Sequence, residues 1–275
     1  MKNRSFIFTA VVASLLYVSC TKPQTTLSEN ERPFNPPIMG WSSWNAFLVD
    51  ISEDIIKHQA DLMVEKGLKD AGYQYINVDD GYFGKRDENG VMQANEKRFP
   101  NGMKPVADHI HSLGMKAGLY TDAGTRTCGS LWNKDSIGIG AGIYGHEPQD
   151  AQLYFGDWGF DFIKIDYCGG EVLGLDEKER YTSIRNSIDK VNKNVSINIC
   201  RWAYPGTWAK DAATSWRISG DINAHWNSLK YVVGKNLYLS AYAGNGHYND
   251  MDMMVVGFRN NSRVGGNGLT PTEEE

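Results

Sequence analysis

Lys164 and Asp166 sit two residues apart in Phe162-Ile163-Lys164-Ile165-Asp166-Tyr167-Cys168-Gly169-Gly170. The apolar, β-favouring residues around them predict a buried strand that ends at the glycine pair, and side chains two apart on a strand point the same way. An ammonium beside a carboxylate favours its charged form, so Asp166 is expected to keep a low pKa and to act as an anionic nucleophile. The same pair could instead be a structural ion pair. Asp79-Asp80, Arg217-x-x-x-Asp221 and Asp250-x-Asp252 add carboxylates elsewhere in the chain. Two carboxylates on different strands, one ionised and one protonated and about 5 Å apart, are the minimum apparatus of retaining glycoside hydrolysis. Asp79-Asp80 with Asp250-x-Asp252 could also ligate a hard cation, but no histidine ligands and no regular ligand loop accompany them.

Only a fold that gathers strand ends can bring these groups together. Strand-like runs occur at Ile38 to Trp41, Tyr73 to Val78, Lys116 to Tyr120, Phe162 to Asp166, Val195 to Ile199, Trp216 to Ile218 and within Asn249 to Gly257. Helical patterns lie between them, over Asp54 to Lys69, through Val106, Ile110 and Leu113, near Asp150 to Trp158 and over Lys178 to Val191. The stretch from Gly81 to Phe99 reads as a loop. Strands alternating with helices predict parallel pairing with right-handed crossovers, hence an α/β fold. Trp44, Asp79, Asp80, Tyr120, Asp122, Lys164, Asp166, Arg201, Arg217, Asp221 and Asp252 all fall at C-terminal ends of these strands. In a closed (β/α)₈ TIM barrel that end is the catalytic face, and a shared polar pocket accounts for them better than separate burials would. Seven units are present rather than eight, and Thr270 with Glu273 reads as the capping box of one more helix. An incomplete barrel, cut short at its C-terminus, is the expectation.

The chain's 275 residues suit one sizeable core, and its net charge of −5 with scattered Lys and Arg argues against nucleic acid. No Gly-rich phosphate loop follows the first strand. Lys2 and Arg4 precede an apolar run from Phe6 to Val18 and then Ser19-Cys20. Residues 1–20 therefore read as a lipoprotein-type signal with Cys20 as the lipidated residue, the alternative being an ordinary secretory signal. Residues 21–35 read as a tether and 36–275 as the catalytic domain. The expected location is outside the cytoplasm, periplasmic or anchored to a bacterial outer membrane, with the lipid as the only membrane contact. Cys128, Cys168 and Cys200 then remain, an odd number for an oxidising compartment.

Met39-Gly40-Trp41-Ser42-Ser43-Trp44-Asn45, Asp79-Asp80-Gly81, Arg98-Phe99-Pro100-Asn101-Gly102, Gly118-Leu119-Tyr120-Thr121-Asp122, Lys164-Ile165-Asp166-Tyr167-Cys168 and Asn249-Asp250-Met251-Asp252-Met253 resemble, in order and spacing, the signatures of the α-galactosidases of glycoside hydrolase family 27. The resemblance implies a retaining hydrolase that acts on galactose-containing oligo- or polysaccharides without a metal or other cofactor. It also implies a barrel followed by an antiparallel β domain, which is missing here. By the same resemblance Asp166 is the nucleophile and Asp221 the acid/base. Lys164, Asp79 and Asp80 read sugar hydroxyls, Trp44 offers an apolar face, Tyr120 packs near the nucleophile, and Arg217 and Asp252 complete the pocket. Cys128 and Cys168 match the pair that forms a disulfide in relatives, which leaves Cys200 free. Cys200-Arg201-Trp202 departs from the family's Cys-Glu-Trp, so that Arg201 stands where an acidic residue reads the 2-hydroxyl. Arginine only donates hydrogen bonds, which leaves open an altered 2-substituent or an Arg201 turned outward, and a β-L-arabinopyranosidase or an α-N-acetylgalactosaminidase are the alternative sugar preferences within the family. A glycan-binding lipoprotein without turnover is the alternative outside the enzymes.

Overall fold

The structure is a computed structural model that describes residues 37–244, 246–257 and 268–274. The chain divides into Met1–Glu31 and Arg32–Glu275, and all the described residues belong to the second unit. The residues read as a signal and tether, 1–35 with Cys20, lie outside the described residues.

Nine strands occur among the described residues. β1 (Gly40–Ser42), β2 (Tyr75–Asn77), β5 (Lys116–Asp122), β6 (Phe162–Asp166), β7 (Ser196–Cys200), β8 (Ser215–Arg217) and β9 (Tyr248–Asp250) form one sheet in that spatial order. Every pairing in it is parallel, so all seven C-terminal ends share one edge. This is the expected set of seven barrel strands, curled into part of a TIM barrel. β1 and β9 do not pair with each other among the described residues, and a cavity of about 790 Å³ opens between them, lined by Met39, Trp41, Leu229, Val232, Met254 and Val255 among others.

β3 (Phe83–Arg86) and β4 (Met92–Ala94) form an antiparallel hairpin where the sequence suggested only loop. Asn89-Gly90, with Gly90 at φ +79°, is the turn signal that marks it. Arg86 fixes the hairpin by pairing with buried Asp150 through both guanidinium Nη atoms, at 2.6 and 2.7 Å.

The crossovers follow the predicted pattern. α1 (Trp44–Phe47) is a single turn, and α2 (Glu53–Glu65) starts at Ser52, whose Oγ accepts from Ile55 N. Ile56, Ala60 and Met63 form its buried stripe, at helical spacing. α3 (Lys104–Ser112) buries Val106, Ala107 and Ile110. α4 (Cys128–Trp132) and α5 (Glu147–Ala151) lie in the long segment after β5, and α5 runs on as a π-helical stretch over Gln152–Asp157. α6 (Cys168–Val172) follows β6 directly, and α7 (Glu177–Asp189) is capped by Asp176 accepting from Glu179 N. α8 (Ala209–Ala212), α9 (Trp226–Leu239) and α10 (Pro271–Glu274) complete the set. One continuous apolar core runs from Ile51 to Ile218 and joins the helices to the outer face of the sheet. No helix among the described residues is long and apolar enough to cross a membrane.

Candidate active site

Every candidate side chain but Arg201 reaches the site from the C-terminal end of its strand or from the segment that follows. Lys164 and Asp166 lie on β6, whose register sets Lys164 beside Tyr120 of β5, and Asp166 between Asp122 of β5 and Cys200 of β7. Asp79 and Asp80 follow β2. There Ser43 Oγ accepts from Asp79 N at 2.9 Å, and Asp79 Oδ1 accepts from Asp80 N at 2.8 Å. Arg217 ends β8, and Asp252 comes two residues after β9. Trp44, Asp79, Asp80, Tyr120, Lys164, Asp166, Arg217, Asp221 and Asp252 line one cavity of about 310 Å³. Of the residues expected to bind substrate, Arg201 alone does not line it.

Two cations organise the carboxylates. Lys164 Nζ stands 3.0 Å from Asp79 Oδ2 and 3.8 Å from Asp166 Oδ2, and 5.2 Å from the centroid of the Tyr120 ring. Buried Arg217 bonds Asp252 Oδ1 and Asp221 Oδ1, each at 3.0 Å. Asp252 also accepts from Ile222 N at 2.7 Å, so the segment after β8 that carries Asp221 is tied to the segment after β9. Asp252 holds φ +77° and Trp202 φ +48°. Leu48, at φ +51°, lines the cavity as well, and left-handed backbone at three non-glycine residues of one cavity is strain concentrated at the site.

Burial and charge compete at Asp166. Loss of solvent pushes its carboxyl above the usual range, against the pull of the Lys164 ammonium and a contact with the Cys200 thiol. The low pKa suggested by the sequence gives way because desolvation outweighs the neighbouring cation. Burial works to discharge Lys164 too, but Asp79 and Asp166 more than offset it and hold its pKa well above the ordinary value. Asp166 Oδ1 is buried with no hydrogen-bond partner among the described residues, and so is Asp80 Oδ1. Burial raises Asp80 to about 7 despite bonds from Thr127 and Gly129 N, and raises Asp122 to about 7 despite bonds from Gly124 N and Gly169 N. Tyr120, buried and facing Asp166, is pushed well above its ordinary pKa and keeps its proton.

The wall beside Asp80 is stapled. Cys128 and Cys168 form a disulfide with their Cα atoms 5.2 Å apart, and Gly129 N donates to Asp80 Oδ2 at 2.8 Å. The loops after β5 and β6 meet at Gly124 and Gly169, where a Cβ on Gly124 would fall 2.1 Å from the Gly169 carbonyl carbon. Cys200 is free and buried, 3.6 Å from Arg217 Nη1. Among the described residues one further cluster has metal-ligand proximity, Asp122 with Cys128 and Cys168, but both its sulfurs are committed to the disulfide. Asp79 and Asp252, half of the alternative cation site, are instead engaged by Lys164 and Arg217.

Arg201 turns away from the cavity. Its Nε bonds Glu177 Oε1 at 2.6 Å, its Nη2 lies 3.9 Å from Glu171 Oε1, and its guanidinium sits over the rings of Tyr167 and Trp202. Trp202 lines the cavity instead. Trp132, Asn133 and Met253 also line it, although the sequence did not single them out. Trp132 and Asn133 could have been found as an aromatic and an amide in the segment that leaves the C-terminal end of a barrel strand.

A parallel barrel sheet with separate carboxylates converging at its C-terminal edge is the architecture of a glycoside-hydrolase barrel. Residues 36–264 match the family model described as Alpha galactosidase A, and the chain belongs to that family. The alpha-galactosidase A of Cellvibrio japonicus is 38% identical over 287 aligned positions, which cover 100% of this chain and 65% of that protein. The alpha-galactosidase of Cyamopsis tetragonoloba is 41% identical over 251 positions, 90% of this chain and 56% of that protein. The solved structure of an alpha-galactosidase from Saccharomyces cerevisiae with raffinose has a TM-score of 0.74 at 32% identity, covering 86% of this chain and 55% of that one. The chain thus spans between about half and two thirds of the length of these relatives.

Proposed function

We propose that the protein hydrolyses terminal α-D-galactosyl residues from oligo- or polysaccharides with retention of configuration. The observation that carries this is the Asp79–Lys164–Asp166 arrangement in a cavity that Asp221 also lines. Asp166 Oδ2 is steadied by Lys164 while Oδ1 is left without a partner, as suits an oxygen that must bond to carbon. Asp166 attacks the anomeric carbon and Asp221 gives its proton to the departing oxygen. Asp221 then takes a proton from water, whose oxygen displaces Asp166 from the glycosyl-enzyme. Asp79 and Asp80 accept from ring hydroxyls, and Lys164 donates. A site that pairs buried carboxylates with particular hydroxyls rejects an epimer by leaving them unpaired. Trp44 covers the apolar face of the ring.

Arg201 is held by Glu177 outside the cavity, so the cation does not itself set the preference at C2. Asp79, to which the family resemblance gives a role around the O4 and O6 hydroxyls, supports galactose over a pentose. The test is hydrolysis of an aryl α-D-galactoside, with the anomer released first identified by proton NMR and the same assay run on Asp166→Asn. The reading requires α-galactose first and loss of turnover in the variant. Release of β-galactose, or full turnover by Asp166→Asn, would sink it. Export by a lipoprotein signal, with Cys20 carrying the lipid, fits Lys2, Arg4 and the apolar run to Val18.

A further inference from the structure

The cavity has a buried end and an open end, and the chemistry proposed above says what belongs at each. Asp79, Asp80, Tyr120 and Asp166 are buried, while the side chain of Asp221 is 71% exposed. A proton donor to the leaving oxygen must stand between the sugar that is transferred and the group that departs. The departing group therefore lies toward the open end.

Trp132 likewise stands at an open margin of this cavity. It lines the same cavity and is 77% exposed, so its indole contributes little to the core. It is nonetheless carried on a short, firmly held element. Thr127 caps α4 by accepting from Ser130 N, Cys128 is fixed by the disulfide, Gly129 N is bonded to Asp80, and Asn133 N closes the turn onto Gly129 O. Asn133, which also lines the cavity, adds an amide that can both donate and accept. An open aromatic face carried on a bonded turn, beside an amide, matches a pyranose ring, which has an apolar C–H face and a rim of hydroxyls.

We propose that Trp132 and Asn133 form the subsite for the leaving-group sugar, so that the protein selects galactosides whose aglycone is itself a hexose. This rests on the galactosidase reading, and the experiment separates the two. The full chain and Trp132→Ala are compared on α-D-galactosyl fluoride, whose leaving group is too small to reach Trp132, and on raffinose, whose leaving group is a disaccharide. Covering one indole face corresponds to about a tenfold effect. The expected result is a loss of about tenfold in kcat/KM on raffinose, a change within about twofold on the fluoride, and recovery of most of the loss in Trp132→Phe. Equal losses on both substrates, or none on raffinose, would overturn the subsite. If the full chain turns over neither compound, the activity reading fails, and titration calorimetry then decides the subsite alone. Tighter binding of raffinose than of galactose that disappears in Trp132→Ala supports it, and indistinguishable binding of the two sugars overturns it.

Discussion

Replacing both Cys128 and Cys168 by serine removes the one covalent tie across the site. The bond spans a sequence separation of 40. Cross-linking a loop of that length takes about 13 cal/mol/K of entropy from the unfolded chain, or about 4 kcal/mol at 25 °C. For a domain of this size that corresponds to a fall of roughly 10 °C in Tm. The neighbouring bonds from Gly129 N to Asp80 Oδ2 and from Gly169 N to Asp122 Oδ1, at 2.8 and 3.0 Å, use backbone donors that the serine variants keep. The loss should therefore appear mainly as stability. Guanidinium unfolding of the oxidised protein and the double variant, followed by far-UV circular dichroism, measures it. A second readout is KM, which should rise more than kcat falls, since the slackened wall bears Asp80 rather than Asp166. A stability loss below about 1 kcal/mol, or a collapse of kcat with KM unchanged, would refute this reasoning.

Arg201→Ala should change kcat/KM on an aryl α-galactoside by less than about threefold and cost at most about 1 kcal/mol of stability, the scale of a partly exposed ion pair; a larger kinetic effect would mean that Arg201 leaves Glu177 and enters the cavity. Asp122 binds its proton more tightly folded than unfolded, its pKa pushed by burial from an ordinary 3.8 to about 7, so its contribution to stability is full at acid pH and declines as pH rises from about 4 to 7. Asp122→Asn, which keeps an acceptor for Gly124 N and Gly169 N, should therefore flatten the fall in denaturation midpoint across that window, and an unchanged slope would contradict the shift. Cells fed a labelled fatty acid should yield labelled protein from the natural sequence and none from Cys20→Ala; label in both would place any lipid elsewhere.

The strands were legible because each is a short apolar run broken by Gly, Asp or Asn, and the alternation of Lys164 and Asp166 fixed which side chains share a face. Their convergence followed from parallel pairing, which puts every C-terminal end on one edge. Three features were not legible, each for a tertiary reason. The direction of Arg201 depends on Glu177 and Glu171, which approach only once the segments after β6 pack beside the end of β7. The raised pKa of Asp166 comes from desolvation, which the spacing of Lys164 and Asp166 cannot reveal. α9 carries Tyr231, Val233, Leu237 and Tyr238 exposed and only Val232 buried, so it lacks the single apolar stripe that makes a helix readable. The β3–β4 hairpin is a different case, since Asn89-Gly90 was a signal available in the sequence.

The most direct test of the central claim is to trap the covalent intermediate. The protein is incubated with 5-fluoro-α-D-galactosyl fluoride, whose C5 fluorine slows both oxocarbenium-like steps while the fluoride leaving group keeps formation of the glycosyl-enzyme ahead of its release, and the labelled peptide is sequenced by mass spectrometry. The account predicts one added fluorogalactosyl group, carried by Asp166, with none in Asp166→Asn. A label on Asp221 or another carboxylate would contradict it, as would catalytic hydrolysis of the compound by the Asp166→Asn variant.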